Sequence, residues 1–345
     1  MCLSNNQYQT ARIDFDDTIL LGLEVLSANG VVEHVLGYYN TVAARKAPGE
    51  SDRKDFGWKI ANAFAKGDFG WKIPKPIAKV GNAMLFAVPA KAGTVNLVPV
   101  GKYPHFMEDY KRAVMPPESH SQIELLSYGS RAFSKAEPIV IKGFDGGTYD
   151  VVISPGASLI PSQFAKIEES KRPVVNTDLY AQLDILYPGF TFVLFCFSEE
   201  CKSRSGCALI KYQPLPELDH LLFLPGLDGH NGSVESGDVV LNHTIVVGSY
   251  RMSSSSQTRA VNFTDQGLKT TCPFLLDKVI GRVLPSGTKA RQGDFLFSLD
   301  EIRGGTLRAK RELPPGWNEV FNGYNSSLPQ YIRQVDSDFD FGRSD

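Results

Sequence analysis

Short β-rich runs broken by turn residues set the strongest limit on how this chain can fold. Ile19–Leu26 and Val31–Tyr39 are joined by Ser27-Ala28-Asn29-Gly30. Asn-Gly between apolar runs signals a tight hairpin, because both residues tolerate the positive φ of a type I′ turn. Phe144-Asp145-Gly146-Gly147 marks a second hairpin. Further strands are expected at Ala83–Val88, Thr94–Val100, Pro138–Lys142, Tyr149–Ser154, Thr191–Phe197, Ala208–Tyr212, Leu221–Leu224, Val239–Gly248 and Asp294–Ser298. Helical periodicity is confined to His105–Val114, Ser121–Phe133, Ser162–Ser170 and Thr177–Tyr187, the last capped by Asn176 or Thr177 and stopped before Pro188-Gly189. With 31 Gly, 21 Pro, 21 Phe and 13 Tyr, the composition favours strands and turns over a helix bundle. The expected class is α+β, with mainly antiparallel sheets, open to two stacked sheets, flanked by a few helices.

The 345 residues accommodate one large domain over 1–312, with a conceivable subdivision near Lys135–Glu137. Inside it, Asp55-Phe56-Gly57-Trp58-Lys59-Ile60 recurs as Asp68-Phe69-Gly70-Trp71-Lys72-Ile73. Two copies at so short a period make no solenoid, so 50–80 reads as an inserted, tandemly duplicated segment. Its lysines and paired Trp58 and Trp71 make it a candidate arm for a protein partner or self-assembly. Residues 313–345, ending in an acidic-aromatic run, are expected to form an extended, partly disordered tail.

Thirty-six basic residues oppose 38 acidic ones, for a net charge of −2, which argues against a nucleic-acid or anionic-membrane surface. No basic stretch leads into an apolar run at the start, and no apolar run approaches membrane-spanning length. The chain is therefore expected to be soluble and cytoplasmic, and its five cysteines to be reduced.

The most specific chemical lead is Cys2. Removal of Met1 would leave a thiol beside a free α-amine, a nucleophile and a weak base in one residue, the amine titrating near ~7.7–8.0. This opening resembles the cysteine-type N-terminal-nucleophile hydrolases, which include class II glutamine amidotransferases and choloylglycine-type amide hydrolases. The resemblance implies an amide hydrolase or acyl transferase acting on a small-molecule amide, with Cys2 as nucleophile and its own amine as base. It also implies Arg12 and Asp14 where the family keeps an early Arg and Asp, and Asn82 as an oxyanion-hole donor. Leu3 departs from the Gly that follows Cys in the amidotransferases, and the Arg-Asp spacing departs from the choloylglycine pattern. Val31–Asn40 and Gly81–Pro89, with the Met-Cys-Leu-Ser start, are also similar to segments of bacterial proteins of unassigned function, which implies no activity.

A second constellation gathers three of the six histidines: Asp219-His220, then Asp228-Gly229-His230, then Asn242-His243. His220, Asp228, His230 and His243 form an alternative metal set for zinc or iron, whereas the first reading needs no cofactor. The simpler account is a glycine-rich turn held by Asp228. His230 is also a candidate general base for Cys2. Cys196, Cys201 and Cys207 surround a basic turn, and Cys196, inside an apolar run, is expected to be a core thiol. No Walker loop, dinucleotide fingerprint or Gly-x-Ser-x-Gly elbow occurs. A non-catalytic interaction protein is the alternative class, and a metalloenzyme the second alternative.

Overall fold

The computed structural model describes residues 2–3, 13–44, 81–115, 137–198, 206–229, 238–285, 288–291 and 293–307. Its strands, in chain order, are β1 (Cys2–Leu3), β2 (Ile13–Leu26), β3 (Val32–Ala44), β4 (Asn82–Val88), β5 (Asn96–Leu97), β6 (Ile139–Phe144), β7 (Tyr149–Ser154), β8 (Thr191–Phe197) and β9 (Gly206–Tyr212). They continue as β10 (Leu221–Leu224), β11 (Asp228–Gly229), β12 (Asp238–Leu241), β13 (His243–Ser249), β14 (Arg259–Ala260), β15 (Lys278–Val283), β16 (Thr288–Arg291) and β17 (Phe295–Ser298). The α-helices are α1 (Phe106–Val114), α2 (Thr177–Leu186), α3 (Gln266–Thr271) and α4 (Leu299–Arg303).

Two sheets carry the fold. The larger runs β14-β15-β13-β2-β3-β9-β5 and the smaller β4-β8-β7-β6. Pairing is antiparallel apart from β13 with β2 and β1 with β11. Alternation along the strands gives each sheet two apolar faces. Leu20, Leu36, Ile210 and Val247 of the large sheet meet Met84, Phe86, Val151 and Phe195 of the small one in a single core. The opposite face of the large sheet, with Ile19, Leu21, Val35 and Val246, packs under Phe106, Met107 and Tyr110 of α1 and Leu268 of α3. The outer face of the small sheet, with Leu85, Val152, Leu194 and Cys196, packs under Leu179, Tyr180 and Leu183 of α2 and Ile160 and Phe164. The result is helix, sheet, sheet, helix: an α+β fold with mainly antiparallel, stacked sheets. Residues on both sides of 135–137 share the central core.

Local chemistry corrects several expectations. The first hairpin closes through a longer loop than a type I′ turn. Gly30 N–H donates to Ser27 O and Ser27 N–H to Val31 O, and Gly30 alone in the loop takes a positive φ, of 78°. That is a turn followed by a left-handed glycine, and Asn29 contributes instead by pairing with the Ser27 hydroxyl. The second hairpin, β6–β7, forms at Asp145-Gly146-Gly147 as expected. Val239–Gly248 is two strands: β12 pairs with β16, while β13 enters the centre of the large sheet. Their surroundings differ accordingly, for Val240 is 63% exposed while Ile245, Val246 and Val247 are buried. The expected helix at Ser162–Ser170 is instead 3₁₀ structure over Ala157–Lys166 and Glu169–Lys171, with Pro161 denying an interior N–H. Only Asn96–Leu97 of the expected Thr94–Val100 strand pairs. Asn176, rather than Thr177, caps α2, accepting from Leu179 N–H at 3.1 Å. The expected helix at Ser121–Phe133, the duplicated segment with Trp58 and Trp71, and the tail 313–345 lie outside the described residues. Among the described residues no helix is long and apolar enough to cross a membrane.

Candidate functional site

Residues 2–3 are built into the fold. Cys2 and Leu3 form β1, parallel to β11, with Cys2 opposite Asp228 and Leu3 opposite Gly229, and β1 lies against β4. β11 is steered by a buried anchor just before it. The Asp294 carboxylate accepts from Gly226 N–H at 2.8 Å and Leu227 N–H at 3.1 Å, and from the Tyr187 hydroxyl at 2.5 Å. Burial pushes the Asp294 carboxyl up, while the Tyr187 hydroxyl and the two N–H groups pull it down. A side chain at Gly226 would put its Cβ 2.6 Å from Gly293 O and 2.7 Å from the Phe295 ring, so only glycine fits this approach.

This anchor makes a direct prediction. Asp294→Ala orphans two buried N–H donors and should cost about 2 kcal/mol in urea unfolding. Asp294→Asn keeps an acceptor oxygen and should stay within about 1 kcal/mol of wild type. Equal losses in the two variants would refute the anchoring role.

The remaining sequence candidates are spread through the molecule. Asn82 opens β4, opposite Phe197, and is buried; its Oδ1 accepts from Ala83 N–H at 2.8 Å, so donor function belongs to Nδ2. Asp14 sits on β2 opposite Ala43. Arg12 and His230 lie outside the described residues. His220 precedes β10 with its side chain 55% exposed, 3.7 Å from Asp219. His243 opens β13, its ring 6.5 Å from that of Phe295. Asp228 is on β11, so Cys2 and Asp228 are the two candidates that the backbone sets side by side. Among the described residues no group of three or more His, Cys, Asp or Glu is placed to hold a metal ion.

The described thiols away from the terminus are poor nucleophiles. Burial pushes Cys196 and Cys207 well up and Cys272 up to about 11, so their thiolates are scarce at neutral pH. Cys196 is a core thiol, as its apolar run implied.

Sequence reasoning passed over a buried polar group on the inner face of the large sheet. Glu24 is fully buried, paired with Arg303 of α4 and bonded by the Ser249 hydroxyl; His34 is its cross-strand neighbour. The signal was present, since Glu24 and His34 share the core-facing parity of Leu20 and Leu36.

No family model and no curated protein matches the sequence. Among solved structures, the crystal structure of baculovirus P35 matches at 11% identity and a TM-score of 0.35, over 84% of this chain and 90% of that one. A mutated baculovirus P35 after caspase cleavage matches at 13% identity and 0.35, over 83% and 98%. The caspase-8/P35 complex matches at 10% identity and 0.32, over 83% and 88%. At these TM-scores the likeness supports neither a shared fold nor a shared activity.

Proposed function

We propose that the protein is an amide hydrolase or acyl transferase whose nucleophile is the Cys2 thiol, exposed by removal of Met1. The supporting observation is the register of β1: Cys2 pairs with Asp228, on the segment that continues into His230. The backbone of Cys2 is thereby tied to a strand whose sequence continues into the most histidine-rich stretch of the chain. In the proposed reaction the thiol sulfur attacks the acyl carbon, and its proton passes to the α-amine, which titrates near ~7.7–8.0. The carbonyl π electrons move onto oxygen and return as the amine leaves with that proton. The resulting thioester is cleaved by water, giving hydrolysis, or by an acceptor amine, giving transfer.

Mass spectrometry of the intact protein after incubation with a simple acyl thioester tests this reading. The expected product is one acyl group on Cys2, with labelling reduced about a hundred-fold or more in Cys2→Ala. A native protein that retains Met1, or undiminished labelling of Cys2→Ala, overturns it.

A non-catalytic protein-binding role is the second reading, favoured by β6. Among the described strands β6 is the outer edge of the small sheet, with Ile139, Val140 and Ile141 half-buried along it, a place where a partner strand can add.

A further inference from the structure

Ser249, Glu24, His34 and Tyr212 are successive register partners across β13, β2, β3 and β9, so their side chains share one face of the large sheet. That face is otherwise the apolar central core. Glu24 is held by three donors: the Ser249 hydroxyl, Nη2 of Arg303, and Nε of Arg303 at 3.2 Å. His34 is 1% exposed and neither ring nitrogen has a hydrogen-bond partner among the described residues. Its ring meets the Tyr212 ring edge-on at 5.8 Å. A fully buried imidazole with both nitrogens idle is rare, and here a carboxylate stands opposite it already occupied by another cation.

We propose that Glu24, His34 and Arg303 form an acid-released latch, in which protonation of His34 draws Glu24 away from Arg303 and frees the Arg303–Leu307 turn with the 253–258 loop. Two cations then compete for one carboxylate, and Arg303, 30% exposed at the end of a five-residue helix, is the one that can return to water. The groups facing His34 set the balance. Glu24 on β2 favours the imidazolium, Arg303 on α4 opposes it, and burial opposes it more than either. Asp300, 92% exposed, offers Arg303 an alternative partner at 3.2 Å. On β3 and β9 the neighbouring Glu33 and Lys211 pair with each other at 2.7 Å. The turn is coupled to the loop through Ser253 N–H to Arg303 O at 2.8 Å, the Ser255 hydroxyl to Gly305 O, and Leu307 N–H to Gln257 Oε1 at 2.8 Å. Leu299 and Ile302, buried in the core, keep the start of α4 in place.

Hydrogen–deuterium exchange on the full chain, corrected for intrinsic rates, tests the latch at pH 7.5 and 5.0. Residues 253–258 and 303–307 should exchange at least about ten-fold faster at the lower pH, while Thr191–Phe197 of β8 stays protected. His34→Phe, which keeps the ring packing but takes no proton, should abolish the response. Glu24→Gln provides a check independent of that variant, and should exchange fast in the turn and loop at both pH values. Unchanged protection in the wild type, a response that survives in His34→Phe, turn and loop protection retained in Glu24→Gln, or simultaneous loss in β8 would each overturn the latch.

Discussion

Arg303→Leu is expected to destabilise the fold by about 3–5 kcal/mol at neutral pH, read from the urea midpoint. The substitution leaves Glu24, fully buried, with its Ser249 hydrogen bond but without a counter-charge. In the wild type the hydrogen bonds from Arg303 and Ser249 outweigh burial and hold the Glu24 carboxyl below its usual value. Its contribution is therefore present above about pH 4.5 and is lost as pH falls through the lowered folded-state value. Without Arg303 the upward push of burial dominates, and the sign reverses: the variant should regain stability on acidification as Glu24 takes up a proton. Replacing both partners, as Glu24→Leu with Arg303→Leu, should recover most of the loss, because no buried charge remains. A single variant within about 1 kcal/mol of wild type would mean that the pair contributes little.

Acid should weaken the wild type by a separate route through His34. Burial, partly offset by Glu24 and reinforced by Arg303, lowers this imidazole from 6.5 to about 4. The unfolded chain then binds a proton that the folded one refuses, so stability falls as pH drops from 6.5 towards 4. A gap of that size corresponds to about 3 kcal/mol across the window. Unfolding midpoints measured from pH 7.5 to 4.5 should show this slope in the wild type and not in His34→Phe. Parallel curves for the two proteins would assign the acid sensitivity to other groups. Release of the Arg303–Leu307 turn would be the first visible stage of the same loss.

Strand character was legible wherever packing demands alternation or unbroken apolarity. Tyr149–Ser154, Thr191–Phe197 and Leu221–Leu224 stand as the sequence implies, because their neighbours on both faces are apolar. The extension of β2 back to Ile13 was hidden, since Asp14, Asp16 and Asp17 read as polar punctuation while the backbone there pairs with β3. The break at Asn242 was hidden for the opposite reason: β12 and β13 are both β-rich, and only their destinations in different sheets separate them. Cys2 and Asp228 are both conspicuous as residues, yet their pairing is not, because parallel pairing of distant two-residue strands leaves no local pattern. The Glu24–Arg303 pair joins residues 279 positions apart, and a lone Glu in an apolar run names no counter-ion. In the sequence Asp294 looks like the first residue of a strand, whereas its carboxylate organises the turn that leads to β11.

The parallel match of β13 with β2 has a consequence for biosynthesis. β2 is the central ribbon of the large sheet, and one of its two flanks stays open until His243–Ser249 has left the ribosome. At typical elongation rates of about 5–20 residues per second, the nascent chain carries that unpaired backbone edge bare for roughly ten seconds or more. Holding chaperones would therefore find their natural target in the unfinished edge of β2, and yield in a recombinant host should respond to their supply.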